Sequence, residues 1–331
     1  MLVLGIETSC DETCVSVVKD ARVVLSNEVA SSLAQHIPYG GIIPEIASRV
    51  QLESICSVVD GALCKARVKP RDLDLIAVTQ GPGLIGSLLV GISFAKALSA
   101  GWKLPLLGVN HLRAHLYAAF ITHEISFPFV GLVVSGGHTS LYRVRSLFHE
   151  ETMGWTRDDA AGEAFDKVAK ILGLSYPGGP VIEKLTRQGR KNAFTFRCDC
   201  GPGFDFSFSG IKTAVLYKVK ELKKIYGNLS QEMISDLCAS FQEAVVSDLV
   251  QKSVRAALKA RARALVVGGG VAFNGYLRER LESATKTNNI KLYIAAKDYC
   301  LDNAAMVASF GCRFYKSKGR KTHFKLDPLL G

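Results

Sequence analysis

Apolar positions open the chain as a short run from Leu2 to Glu7, yield to the polar Thr8-Ser9-Cys10-Asp11-Glu12-Thr13, and resume as the β-branched stretch Cys14 to Val18. Two such runs around a turn-forming segment predict a hairpin, and a third strand follows at Arg22 to Asn27. From Pro44 the period lengthens. Ile46, Val50, Leu52, Ile55, Val58, Val59 and Leu63 recur at helical spacing and predict a helix through Lys65. Leu75 to Thr79 then reads as a buried strand, Gln80-Gly81-Pro82-Gly83 as a turn and Leu84 to Ala100 as a long apolar helix, with another strand at Leu104 to Val109.

The same order recurs. Phe129 to Val134, the polar turn Ser135-Gly136-Gly137-His138-Thr139 and Ser140 to Val144 form a second hairpin. Ala264 to Val267, the glycine turn Gly268-Gly269-Gly270 leading to Asn274, and a helix to about Thr285 repeat the strand, turn and helix. Duplication of this kind predicts two lobes, each a mixed sheet with helices packed on it, and a ligand lying between them. The expected boundaries are 1–117 for the first lobe, completed by a C-terminal helix at about 298–331, and 118–297 for the second. An insertion of mostly helical character, about 150–260, holds helices at Asp158 to Leu172, Ile211 to Ile225 and Gln231 to Ala260, the last two expected to carry their Lys and Arg on outer positions.

Composition narrows the class. The chain has 331 residues, 48% hydrophobic and 21% charged, which sets aside disorder, collagen and coiled coil. Residues 1–150 hold 12 basic and 12 acidic side chains, so the formal charge of +11 falls on residues 151–331, with 29 and 18. A neutral first half and a basic second half point to an anionic partner, nucleic acid first, against a basic surface kept for solubility. No targeting segment opens the chain, and apolar runs such as Leu88 to Ile92 stop well short of the ~18 residues of a spanning helix, so no membrane association is expected. Nine cysteines with no C-x-x-C pair read as reduced thiols of a cytoplasmic protein, and Cys198-Asp199-Cys200 as a loop with small thiols.

Glycine turns that end buried strands let backbone N–H groups face phosphate oxygens, an arrangement available at Gly81-Pro82-Gly83, Gly136-Gly137 and Gly268-Gly269-Gly270. Neither Gly-x-Gly-x-x-Gly after the first strand nor a P-loop is present. His111 and His115 stand four residues apart at the start of a helical stretch, which at ~100° per residue brings both imidazoles to adjacent turns of one face. Asp302, at the opening of the last helix, is the candidate oxygen ligand, its other possible role being a helix N-cap. The zinc-peptidase pattern H-E-x-x-H fails because position 112 is Leu, not the Glu that activates water. Asp11 and Glu12 on the first hairpin turn are candidates to orient a nucleophile, accept its proton or bind a metal. Asp159, Glu163 and Asp166 are spaced to share one helix face.

Gly5 to Thr13, Gly41 to Arg49, Gly81 to Leu84, His111 to His115, Val134 to Thr139, Asp158 to Lys167, Tyr176 to Pro180, Phe206 to Thr213, Gly269 to Val271 and Asp302-Asn303 together resemble the tRNA threonylcarbamoyladenosine transferase family, in its bacterial and organellar branch. The resemblance implies an α/β fold of two duplicated actin, sugar-kinase and Hsp70-like lobes around a central nucleotide cleft. It implies transfer of a threonylcarbamoyl group from threonylcarbamoyl-AMP to N6 of the adenosine 3′ of the anticodon, position 37, in tRNAs reading codons that begin with A. It also implies one divalent metal ion, iron with zinc as the alternative, on His111, His115 and Asp302. The intermediate's contacts would fall on Val133, Val134, Ser135, Gly136, Gly137, His138, Asp166, Gly179, Glu183, Gly269, Gly270 and Asn274. Asp11 or Glu12 would take the proton of the amine, and N–H groups of Ser135 to Gly137 would stabilise the departing phosphate. Lys212, Lys218, Lys220, Lys223, Lys224, Lys316, Lys318, Arg320 and Lys321 would hold tRNA phosphates. Small helper proteins of the same pathway, TsaB-like and TsaE-like, are the implied partners. Two rival readings are a small-molecule kinase or ATPase of the same fold and a non-catalytic nucleotide-binding scaffold.

Overall fold

A computed structural model describes residues 1–318. Arg320 and Lys321 therefore lie outside the described residues, as does the end of the expected C-terminal helix. The chain divides into one unit of Met1–Glu124 with residues from Ala295 onward, and a second of Ile125–Ile294.

In the first unit β1 (Leu2–Glu7) and β2 (Glu12–Lys19) form an antiparallel hairpin, in register from Leu2 opposite Lys19 to Glu7 opposite Cys14. β3 (Val23–Ser31) continues it, followed by the one-turn α1 (Leu33–His36) and α2 (Pro44–Ala66). β4 (Leu75–Gly81), α3 (Ile85–Trp102) and β5 (Leu106–Asn110) lead into α4 (His111–Tyr117). The sheet order is β3-β2-β1-β4-β5, with β4 and β5 parallel to β1. Leu4, Ile6, Val15, Val17, Ile76 and Val78 on one face meet Ile55, Val59 and Ala62 of α2 and Leu88, Ile92 and Ala95 of α3 in a continuous core. Each fully buried Leu, Ile or Val there contributes about 1.5–3 kcal/mol. Both faces are covered, so β1 and β4 read as unbroken apolar runs instead of alternating ones.

By length and a mean hydropathy of 1.4 over 18 residues, α3 is apolar enough to cross a membrane. That corrects the expectation from its interrupted runs, because Gly and Ser weigh little against Leu and Ile. In this fold the helix places Leu88, Ile92 and Ala95 in the core of the unit.

The second unit repeats the plan. β6 (Phe129–Val134), β7 (Thr139–Ser146) and β8 (His149–Trp155) form its antiparallel part. α5 (Ala161–Ile171), α6 (Gly178–Thr186), α7 (Ser209–Tyr226) and α8 (Gln231–Lys259) follow. β9 (Ala264–Gly268), α9 (Gly275–Thr287) and β10 (Lys291–Ile294) complete it. Its order, β8-β7-β6-β9-β10, matches β3-β2-β1-β4-β5 strand for strand. α10 (Ala304–Ser317) belongs to the first unit, where Ala308 packs against Gly5 and Gly311 against Ala77.

Three local expectations change. The insertion begins with a strand, β8, whose charged, mostly exposed residues pair antiparallel with β7 and carry no apolar alternation to announce it. α5 starts at Ala161, after Ala160 in extended backbone, so Asp159 precedes the helix and does not share a face with Glu163 and Asp166. It is held instead by Lys167 at 2.5 Å and Lys212 at 2.8 Å. Lys252 of α8, expected on an outer position, is buried in an ion pair with Asp248 and lies 5.0 Å from the Phe206 ring centroid.

Candidate metal centre

His111 begins α4 directly after β5. The Asn110 side chain caps that start by accepting the Arg113 N–H at 3.0 Å, which fixes the helix where the strand ends. One turn later His115 faces the same way, with its ring centroid 4.5 Å from that of His111. Asp302 arrives from the segment before α10. Asn303, not Asp302, is the N-cap of α10, accepting the Met306 N–H at 2.9 Å. Asp302 Oδ1 is thus left to face His115 Nε2 at 2.9 Å and His111 Nε2 at 3.6 Å. One ligand atom from each of the three residues lies within 4.8 Å of the others, and this is the one such group among the described residues.

The sequence reading did not single out Glu7. It closes the apolar strand β1 and is 1% exposed. Its Oε2 accepts from His111 Nδ1 at 2.9 Å and from Thr79 Oγ1 at 2.5 Å, while Oε1 accepts the Ser9 N–H at 2.6 Å. Ser9 Oγ stands 3.1 Å from the same Nδ1. A carboxylate on Nδ1 sets the tautomer that presents Nε2 to an ion. The one signal in the sequence was a carboxylate at the end of a run that is otherwise wholly apolar.

Negative charge is crowded here. Burial, and then the carboxylates of Asp302, Asp11 and Glu7, push the Glu12 carboxyl up to about 10. Burial opposes charge on His111, yet Glu7 and Asp302 beside it outweigh that and raise the imidazole to about 9. A cation on the two Nε2 atoms and Asp302 offsets this repulsion, and two imidazoles with one carboxylate suit a divalent transition ion. The donor set therefore fits the metal that the sequence implied. Glu7→Gln keeps the shape but loses the charge on Nδ1. It is expected to weaken zinc binding about 10–100-fold in a calorimetric titration.

The turn expected to face phosphate joins β6 to β7 in the second unit. Val133 and Val134 are buried in β6, so they offer backbone only. The Ser135 N–H donates to His138 O at 2.8 Å, and Ser135 Oγ accepts the His138 N–H at 3.1 Å. That corrects the expected donor set: the Ser135 amide already closes the turn, which leaves Gly136 and Gly137, both exposed with open space beside Cα. Asp166 accepts the Gly178 N–H at 2.7 Å and so anchors the start of α6, near Gly179. Burial first, and Glu163 after it, raise its pKa against those amide bonds. Glu183 Oε1 accepts the Gly275 N–H at 2.8 Å. Asn274 caps α9 through the Leu277 N–H at 2.9 Å and donates to Gln242 Oε1 at 2.9 Å. Gly269 and Gly270 follow β9 at the turn before that cap.

A family model described as tRNA N6-adenosine threonylcarbamoyltransferase matches residues 23–309. A protein of that name from Dictyoglomus turgidum is 48% identical over 100% of this chain and 99% of its own length. One from Geobacter sp. strain M21 is 50% identical over 99% of this chain and 95% of its own. The chain belongs to this family.

The tRNA N6-adenosine threonylcarbamoyltransferases are transferases, which sets aside the small-molecule kinase and the inert scaffold. Solved structures agree on the fold of this family member. HypF from T. kodakarensis superposes with a TM-score of 0.65 at 13% identity, over 96% of this chain and 48% of that one. Component A of (R)-2-hydroxyglutaryl-CoA dehydratase from Acidaminococcus fermentans gives 0.54 at 15% identity, over 96% and 99%. The fold is thus the duplicated α/β lobe of the actin and sugar-kinase type. Of the lysines expected to meet tRNA in this transferase, Lys212 pairs with Asp159, Lys218 with Glu221 at 2.7 Å and Lys316 with Asp20 at 2.8 Å. Lys220, Lys223, Lys224 and Lys318 are exposed.

Proposed function

We propose that the protein transfers the threonylcarbamoyl group from threonylcarbamoyl-AMP to N6 of adenosine 37, 3′ of the anticodon, in tRNAs reading codons that begin with A. The observation that carries this reading is the convergence of His111, His115 and Asp302 in a chain of this family. His111, His115 and Asp302 hold the divalent ion, iron by family resemblance or zinc. When bound, that ion supplies positive charge for an anionic oxygen of the adenylate and Lewis-acid polarisation.

N6 attacks the carbamoyl carbon, a C–N bond forms, the C–O bond to the phosphate breaks, and AMP leaves with that electron pair. Asp11 takes the proton from N6, or Glu12 does once a cation offsets the crowding of negative charge around it. Gly136 and Gly137 offer N–H groups to the departing phosphate. Val133, Val134, Ser135 and His138 shape that turn, while Asp166, Gly179, Glu183, Gly269, Gly270 and Asn274 hold the nucleotide end. An exocyclic amine is a weak nucleophile, so alignment supplies much of the acceleration. Lys220, Lys223, Lys224 and Lys318 hold tRNA phosphates, and binding weakens steeply with salt. TsaB-like and TsaE-like helpers act with it in the cytoplasm.

Mass spectrometry of tRNA nucleosides after incubation with the adenylate tests the reading. Threonylcarbamoyladenosine is expected at position 37, in lower yield at high salt when tRNA is subsaturating. ATP-dependent phosphorylation of a small alcohol or acid without any tRNA product would overturn it.

A further inference from the structure

The turn between β1 and β2 exposes three backbone carbonyls, and each is gripped by a side chain from outside the turn. Gln51 Nε2, on α2, donates to Cys10 O at 2.9 Å and to Glu12 O at 3.0 Å. The carbonyl between them, Asp11 O, accepts from Ser32 Oγ at 2.7 Å and from the Ser32 N–H at 3.3 Å. Gln51, Ser32 and His36 are all fully buried.

Hydrogen-bond direction carries the grip further back. Having donated its one hydrogen to Asp11 O, the Ser32 hydroxyl acts as acceptor toward His36 Nε2, 2.9 Å away. Nε2 therefore bears the ring hydrogen. At the other side of the ring Nδ1 accepts the Ile43 N–H at 3.3 Å, as a bare nitrogen does. Both contacts require the same tautomer. The bonds run in one sense: Ile43 N–H to His36, His36 to Ser32, Ser32 to Asp11 C=O. Ile43 precedes Pro44 as the N-cap residue of α2, so this relay and Gln51 fix the turn from two points of one helix.

A buried histidine bonded at both nitrogens is ordinary when it only satisfies itself. Here Gln51 argues for more, because its Oε1 is buried with no partner among the described residues. Leaving a buried carbonyl unpaired is unfavourable, and an apolar side chain of similar shape avoids it. What the amide gives in return is two N–H donors aimed at the turn of Asp11 and Glu12.

We propose that Ser32, His36 and Gln51 are positioning residues of the transfer reaction, which hold the Asp11–Glu12 turn so that its carboxylates meet the reacting amine. This rests on the reading above in which that pair takes the N6 proton. None of the three touches substrate. Their effect is on the placement of the turn, and such placement acts on the rate more than on binding.

The test compares Ser32→Ala, His36→Ala and His36→Gln with Asp11→Ala and Glu12→Ala, using the full-length chain with its helpers, tRNA and the adenylate. Ser32→Ala removes a single oxygen, so it reports even if His36→Ala fails to fold. Expected is a fall in kcat of about 10–100-fold for Ser32→Ala and His36→Ala, with KM for tRNA and adenylate within twofold of wild type. His36→Gln, whose amide can donate to Ser32 from the same place, recovers most of the rate. If those two variants keep kcat within twofold, or lose it only in step with KM, while Asp11→Ala or Glu12→Ala abolishes transfer, the positioning role is wrong and the proton-acceptor reading stands. If Asp11→Ala and Glu12→Ala both keep the wild-type rate, that reading fails and the positioning role fails with it.

Discussion

Asp302→Ala is expected to abolish stoichiometric metal binding and to lower kcat/KM for tRNA modification by roughly 10²–10⁴-fold, several kcal/mol of lost charge stabilisation. The residue suits the experiment because its other possible task belongs to a neighbour: Asn303 caps α10, so truncating Asp302 leaves the helix start intact. Its Oδ1 is also the atom that both imidazoles face, at 2.9 and 3.6 Å. Removing it leaves two nitrogens and no anionic ligand. Stability of the metal-free chain is pulled both ways. Asp302 is the largest charge acting to raise the Glu12 carboxyl, after burial itself, but it is also the carboxylate that His111 and His115 face. Its loss relieves the first and forfeits the second, so the melting temperature without metal is expected to change little. Metal content after gel filtration, with nucleoside mass spectrometry on the same sample, checks both halves. A variant that keeps both its metal and its rate removes Asp302 from the site.

What the sequence made legible follows from how far each signal travels along the chain. A strand, a glycine turn and a helix are local patterns, so the duplicated plan was readable before any coordinates, and β1 to β7 fell near their expected places. The histidine pair was readable for the same reason, since four residues on a helix fix a direction. Glu7 was not. Its role depends on His111, 104 residues away, and on Thr79 in the neighbouring strand, and no periodicity encodes such a meeting. Gln51 and His36 were hidden likewise, as two polar residues among helical and loop neighbours. β8 escaped because an exposed edge strand needs no apolar face. Asp159 misled because i, i+4 and i+7 spacing implies a shared face only if the helix has already begun, and this one begins two residues later. The Ser135 amide shows a further limit: a turn sequence says which N–H groups exist, but not which one the turn itself consumes.

Gly269→Ala is expected to weaken adenylate binding and to destabilise the second unit, while zinc affinity stays as in wild type. Gly269 has φ = 99°, a region that costs a residue with a side chain about 1–3 kcal/mol. A Cβ there would press on Val134 O and stand 2.7 Å from Val134 C. Those are backbone atoms at the end of β6, so relief requires moving the strand that leads into Ser135, Gly136 and Gly137. At about 2–4 °C per kcal/mol for a unit of this size, a fall in melting temperature of roughly 2–12 °C follows. The first unit supplies a control. Gly83 lies in the glycine turn after β4, with φ = 158°, and its Cβ would lie 2.5 Å from Ser9 O and 2.8 Å from Ser9 Cβ. Ser9 is the residue whose hydroxyl stands beside His111 Nδ1, so Gly83→Ala displaces the support of a metal ligand instead of the phosphate turn. The pair should separate in calorimetry: Gly269→Ala loses affinity for adenylate and keeps it for zinc, and Gly83→Ala loses affinity for zinc first. Equal losses of both ligands in both variants would mean that the two glycines report only on folding, and the division of labour assigned to these turns would be wrong.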